Sequence, residues 1–414
     1  MTMKSIKKRD GRTVAFDPAK IQAAIMKSFE ASGSAKGPET AEQLTQRVVE
    51  ELENNESIGS VPTVEEVQDT VERVLIEKGF VRSAKAYILY RAERSRVREM
   101  NTRLMKIFED ISFKDSRDSD IKRENANING DTAMGAMLKF GSEGAKQFYD
   151  MYVLDPRFAQ AHAEGDIHIH DKDFYTLTTT CCQIELSSLF RDGFSTGHGT
   201  LREPMDIASY SALACIAIQA NQNDQHGGQS IVDFDYGMAP GVKKTFIKRY
   251  RANLARALEL LCNLDNAEET AEKLMDLMQA TGAQPTLEEQ PEHREALKAQ
   301  LLEIVPDEAL CDRMLDFAQE KAVKETDRAT YQAMEALIHN LNTMNSRAGA
   351  QVPFSSINYG MDTSPEGRMV VRNVLLATEA GLGHGETPIF PIQIFRVKSG
   401  ISYNPGDPNY DLYR

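Results

Sequence analysis

The chain has 414 residues, 41 % of them hydrophobic and 27 % charged, a globular profile with room for about two or three domains. A formal net charge of −14 excludes broad binding to nucleic acid or to an anionic membrane, which needs clustered positive charge. Nucleotides stay open, because they need only one local cationic pocket. The five cysteines have no regular spacing, which excludes a disulfide framework and a C-x-x-C zinc ribbon. No stretch approaches the roughly 20 apolar residues of a membrane span, and no apolar run follows the basic start. The expectation is a cytoplasmic protein with reduced thiols and no metal site in this chain.

In chain order, residues 4 to 16 alternate weakly around Asp10-Gly11, a hairpin signal. Asp17-Pro18 then opens a helix, with Asp as N-cap and Pro at the first helical position. Ile21, Ile25 and Phe29 repeat on one of its faces. A second helix is predicted over 38–54. Thr63 with Glu66 three residues on forms a capping box, and Gly79 stops the helix it starts. A helix rich in Arg and Glu follows over 82–108. Together these form a small hairpin-plus-helices domain of about 95 residues. Residues 109–130 are polar and read as a linker. Beyond 131, helices (143–163, 203–222, 239–262) alternate with short strands (176–186, 352–359, 389–396), which favours an α/β architecture. The stretch 264–340 is helical and acidic, with turns at Gly282, Pro285 and Pro306.

Several segments carry chemistry. Lys7-Lys8-Arg9-Asp10-Gly11 gathers cations on a tight hairpin next to a helix start, an arrangement that suits a triphosphate; a solvated basic hairpin is the plain alternative. Gly165–Asp171 alternates as a strand does, so His168 and His170 share a face. They suit a metal with Asp166 and Asp171, or hydrogen bonds in a polar pocket; with no third ligand nearby the pocket is preferred. Cys181 and Cys182 sit on the next strand facing opposite sides, as plain buried thiols or as a redox thiol at a cavity. A glycine-rich turn, 193–199, leads to a helix expected to start near Pro204, and Asn221–Ser230 is a dense polar loop of the kind that lines a ligand.

Two resemblances rest on these residues. The pattern K-R-D-G-x-x-x-x-F-D-x-x-K-I at 8–21, with the Thr63-led helix and Tyr87, Tyr90 and Arg91, resembles the ATP-cone, an ATP/dATP-sensing module of ribonucleotide reductases. The resemblance implies that Lys8 and Arg9 face phosphates, that Val14 to Lys20, including Asp17, wrap the nucleotide, and that Ile21 touches the base. Thr63, Tyr87 and Arg91 would complete the site, with Mg2+ accompanying the nucleotide. Val14 departs from the acidic residue of some cones.

GDIHIHDKDFY, TTTCCQIELSSLF, GFSTGHGTLREP, NQNDQHGGQS, NSRAGAQVPFSSINYG, GLGHGETPIFPIQIF and NPGDPNYDLYR resemble the catalytic domain of class III anaerobic ribonucleotide reductases. The implied fold is a small α+β ATP-cone (1–95) followed by an incomplete ten-stranded α/β barrel of the glycyl-radical enzyme type (96–414). The implied activity is anaerobic reduction of ribonucleoside triphosphates. A radical S-adenosylmethionine activase with a 4Fe–4S cluster makes the glycyl radical, and formate or a thioredoxin-like protein is the reductant. The resemblance also implies an assembly that is a homodimer or larger.

Carried over, the second active-site cysteine is Cys181, with Cys182 as the alternative, and His168 and His170 line the substrate pocket. The specificity effector would meet Glu203, Lys243 and Lys244, with Lys248 on the same helical face. The family's finger-loop cysteine lies just beyond a motif matching Gly406–Asp411 here, and its structural zinc site and glycyl-radical loop lie farther on. The chain is therefore expected to be a piece that lacks turnover by itself. Rival readings are a glycyl-radical lyase of the pyruvate formate-lyase type, an ATP-cone repressor, and a nucleotide-binding assembly fragment. The repressor is set aside because the cysteines of its zinc ribbon are missing and the chain is acidic.

Overall fold

The computed structural model describes residues 3–9, 11–55, 58–59, 61–113, 132–175, 178–346 and 351–414. Asp10 of the predicted hairpin, most of the predicted linker and residues 347–350 of the NSRAGAQ motif lie outside the described residues. The chain divides into two units, Met1–Phe113 with Gln147–Ile167, and Lys114–Lys146 with His168–Arg414.

In the first unit, β1 (Ser5–Lys7) pairs antiparallel with β2 (Thr13–Ala15), Lys7 opposite Thr13. Four helices follow: α1 (Pro18–Ser32), α2 (Pro38–Asn54), α3 (Val64–Glu77) and α4 (Val81–Phe113). Their starts follow from local chemistry. The Asp17 side chain accepts from Ala19 N ahead of Pro18, and α1 ends at Gly33 with φ 68°. Thr63 and Glu66 close a capping box on α3: Glu66 N donates to Thr63 Oγ1 at 3.2 Å and Thr63 N to Glu66 Oε2 at 2.7 Å. Thr63→Ala removes the hydroxyl acceptor and is expected to lower the stability of this unit by about 1 kcal/mol, read by urea denaturation. The stripe Ile21, Ile25 and Phe29 packs with Val48, Leu52, Val71 and Leu75 in one core. The helix predicted over 143–163 is two helices, α5 (Ala133–Tyr152) and α6 (Pro156–Glu164). The break is at Asp155-Pro156, because a proline has no N–H to continue α5 and is suited to open α6.

The second unit is built on a parallel sheet in the order β3 (Cys182–Ile184), β6 (Gln229–Ile231), β7 (Ser355–Tyr359), β8 (Ile392–Phe395), where β4 (Phe194–Ser195) and β5 (Thr200–Leu201) form a separate small hairpin. Ile184, Ile231 and Ile357 lie in register across the three strands. Each parallel step needs a long return, and helices supply it: α7 (Leu186–Asp192) and α8 (Ile207–Asp224) between β3 and β6, α9 (Phe234–Cys262) to α12 (Glu308–Thr343) between β6 and β7, and α13 (Pro365–Ala380) between β7 and β8. The intervening helices are α10 (Ala267–Thr281) and α11 (Pro291–Leu302), and α14 (Tyr410–Tyr413) is a last turn. Gly237 and Gly241 let α9 lie close to its neighbours. A Cβ would stand 2.6 Å from Leu186 Cβ at the first and 2.8 Å from the Tyr210 ring at the second.

The described residues hold a mixed α/β fold with one four-stranded parallel sheet. The structure corrects two expectations. Gly165–Asp171 is not a strand: Gly165 (φ 86°) and Asp171 (φ 48°) are both left-handed and bend the backbone out of extension, leading into a 3-10 turn at Lys172–Phe174. Helix α8 starts at Ile207 behind the N-cap Asp206, whose carboxylate accepts from Ser209 N, and not near Pro204. Among the described residues no helix is long and apolar enough to cross a membrane.

Candidate functional sites

In the first unit the hairpin is tied to the start of α3. Lys7 N donates to the Pro62 carbonyl at 2.8 Å, and Lys7 bridges Thr63. This brings the predicted Lys8, Arg9 and Thr63 to one place. Lys8 is exposed, whereas the Arg9 guanidinium pairs with Glu65 and donates to Gln68 at 2.9 Å. Arg91 on α4 donates to Asp69 at 2.5 Å and Glu72 at 2.9 Å. Tyr87 is buried one helical turn before Arg91. Burial, then the negative charge of Glu72, pushes its hydroxyl up to about 12. Asp17 is committed to its cap and sits 3.9 Å from Lys20. Val14 is half-buried on β2. Ile21 is turned into the core at 6 % exposure, the position its helical stripe predicts.

In the second unit the two adjacent cysteines part. Cys181 is exposed, and its thiol lies against the Gly227 backbone, where a Cβ would stand 3.0 Å from Sγ; Gly227 has φ +87°. Cys182 is half-buried in β3, where Asn221 Nδ2 donates to its Sγ at 2.8 Å. The same amide reaches Gln229 Oε1 at 2.7 Å, and Gln229 Nε2 reaches Gln222 Oε1 at 2.9 Å. Thus Asn221, Gln229 and Gln222 form a chain of amide hydrogen bonds that ends on the Cys182 thiol. The accessible thiol is Cys181, and accessibility is what thiol chemistry requires.

His168 and His170 are both exposed, ring centroids 5.8 Å apart. His170 Nε2 is 3.4 Å from Asp171 Oδ2. Sequence reasoning missed His226. It is 4 % exposed, its Nε2 is 3.5 Å from the same Asp171 oxygen, and its Nδ1 is 2.9 Å from Thr178 Oγ1. Its ring stacks on Phe174 at 4.5 Å, and its backbone N–H donates to Thr179 O at 2.9 Å. His226 therefore pins the segment that delivers Cys181. The available signal was one histidine between a polar run and two glycines. Among the described residues no group of three or more His, Cys, Asp or Glu is placed to hold a metal ion.

The structure brings Glu203 and Lys244 together. Lys244 Nζ pairs with Glu203, donates to the Pro204 carbonyl at 3.0 Å and lies 5.4 Å from the Tyr210 ring centroid. Lys248 is 3.4 Å from Asp206, and Lys243 is exposed on the same helix.

The first unit is thus a two-stranded hairpin clasped to a helix start, and the second an α/β unit whose parallel sheet carries Cys181 and Cys182 at the head of its first strand. Residues 4–96 match the family described as ATP cone domain, and residues 124–414 match the family described as Anaerobic ribonucleoside-triphosphate reductase. The chain belongs to the anaerobic ribonucleoside-triphosphate reductase family. The reductase of that name from Salmonella typhimurium is 26 % identical over 410 residues, covering 98 % of this chain and 48 % of the relative. The one from Escherichia coli is 25 % identical, with the same coverage. A ribonucleoside-diphosphate reductase subunit alpha from Chlamydia muridarum is 41 % identical over 102 residues, 23 % of this chain and 10 % of that protein. The chain spans about half the length of the anaerobic relatives it matches over nearly all its residues.

Proposed function

We propose that this chain forms the regulatory and N-terminal catalytic part of an anaerobic enzyme that reduces ribonucleoside triphosphates to 2′-deoxyribonucleoside triphosphates. The observation that carries the catalytic half is the exposed Cys181 thiol, held against Gly227 at the head of the first parallel strand. The parallel sheet is then one part of a ten-stranded barrel completed by the rest of the protein. The glycyl radical and the finger-loop cysteine of that remainder supply one-electron chemistry at the ribose. Cys181 contributes a thiol hydrogen to the reduction, His168 and His170 line the substrate pocket, and the 2′-hydroxyl leaves as water. Formate or a thioredoxin-like dithiol supplies the two electrons. The radical S-adenosylmethionine activase is the partner that generates the radical, the structural zinc belongs to the remainder, and the working assembly is a cytoplasmic homodimer or larger. Glu203, Lys243 and Lys244 would meet a specificity effector, a reading supported by the pairing of Lys244 with Glu203.

ATP and dATP would act through the N-terminal unit. Lys8, Arg9 and Arg91 hold the phosphates, Val14, Asp17 and Lys20 border the nucleotide, Ile21 backs it from the core, and Thr63 and Tyr87 close the site. Mg2+ accompanies the phosphates. The reductase reading is tested with the complete gene product, anaerobic and activase-treated: 2′-deoxynucleotide is the expected product, and its absence with the radical formed rejects the reading. The cone is tested by calorimetry on the 414-residue chain. Lys8→Ala with Arg9→Ala is expected to weaken dATP by about tenfold or more, the scale of charge-assisted phosphate contacts. Parental affinity in that variant would remove both residues from the site.

A further inference from the structure

The two arginines assigned to phosphate are already engaged, and by one helix. Glu65, Asp69 and Glu72 follow each other on α3 at spacings of four and three, so they share a face. Arg9 reaches from the hairpin to Glu65 and Gln68, and Arg91 reaches from α4 to Asp69 and Glu72. Tyr87 is within electrostatic range of Glu72, Arg91, Arg9 and Asp69, so these four charges gather around one buried ring. Three carboxylates facing two guanidiniums leave the cluster formally at −1. A triphosphate presents oxygens to the same guanidinium N–H groups that these carboxylates hold.

We propose that the acidic face of α3 is a built-in competitor for the nucleotide: phosphate oxygens replace Glu65 on Arg9, and Asp69 with Glu72 on Arg91, so these carboxylates set the affinity of the site. The inference rests on the nucleotide-binding reading of this unit. The exposed Lys8 and Lys20 are the cations a triphosphate meets first. The exchange then removes the ion pairs that join α3 to the hairpin and to α4, which ties occupancy of the site to those contacts.

The test is ATP calorimetry on the 414-residue chain with Glu65→Gln, with Asp69→Asn plus Glu72→Gln, and with Glu77→Gln. The last removes the same charge from an exposed position on α3 outside the cluster. Each of the first two variants is expected to bind ATP about three- to tenfold more tightly than the parent, the scale of one or two partly exposed ion pairs. Glu77→Gln stays within about twofold, as expected for a screened distant charge. A parent chain that does not bind ATP rejects the nucleotide reading itself. A parent that binds, with variants that bind equally or more weakly, overturns the competitor role alone. So does a Glu77→Gln variant that tightens as much as the others. The two cluster variants are independent, so a folding defect in one leaves the other decisive.

Discussion

Asp235→Ala is expected to cost the second unit about 3–5 kcal/mol, at the upper end for a single substitution. Asp235 is 1 % exposed, and one of its carboxylate oxygens accepts from the backbone N–H groups of Gly360 at 2.8 Å, Met361 at 2.8 Å and Asp362 at 2.9 Å. These donors sit where the chain leaves β7 and turns toward α13, and the bonds from Gly360 and Asp362 are buried. Alanine leaves all of them unanswered. Asparagine keeps one oxygen but loses the charge, and is expected to cost about half as much. The same loop is held from its other side by Asn409, whose Nδ2 donates to the Gly360 carbonyl at 3.2 Å and the Asp362 carbonyl at 2.9 Å. Urea denaturation of the two variants checks the prediction, and a loss below about 1 kcal/mol in Asp235→Ala contradicts it.

Asp362 adds a pH dependence of known sign. Burial, and then the neighbouring Asp235, holds its carboxyl above the usual carboxylate range. Its ionisation therefore opposes folding at neutral pH, and that penalty fades as pH falls through the raised value.

Cys181→Ser in the complete, activated gene product is expected to lower deoxynucleotide formation by about a thousandfold or more, since loss of one member of a catalytic unit acts on that scale or above. The hydroxyl of serine matches the thiol in size but does not surrender a hydrogen atom comparably. Cys182→Ser is expected to retain activity within about tenfold, because the half-buried Cys182 serves as an acceptor for Asn221, a role a hydroxyl can take over. Glycyl-radical formation measured by electron paramagnetic resonance separates lost chemistry from lost activation. The reverse ranking of the two variants would transfer the role to Cys182.

Local chemistry was readable in the sequence wherever a residue acts on its own neighbours. Asp17-Pro18 and Thr63 with Glu66 start helices as their side chains dictate, and the Ile21, Ile25, Phe29 stripe found its core. What depends on distant partners was not readable. The alternation through His168 and His170 carries the period of a strand, yet a strand also needs a neighbour to bond, and two left-handed residues bend this segment away from one. His226 and Asp171 are 55 positions apart in the chain, with α7, α8 and the small hairpin between them, and the fold brings them together. The pairing of Arg9 and Arg91 with α3 was hidden for the same reason: composition shows the charges, and the fold chooses their partners. The candidate site was legible mainly as a resemblance of motifs in order, and the separation of an exposed Cys181 from a bonded Cys182 required the register of β3 on β6.

The central claim is that a nucleotide-sensing cone governs anaerobic reduction at the thiol-bearing sheet. It is tested most directly by incubating the complete, activase-treated gene product with a ribonucleoside triphosphate under strict anaerobiosis, with and without dATP, and measuring 2′-deoxynucleotide. The account predicts product that depends on Cys181 and changes when dATP is added. An activated protein that makes no deoxynucleotide, or one whose output ignores dATP while the cone binds it, contradicts the account.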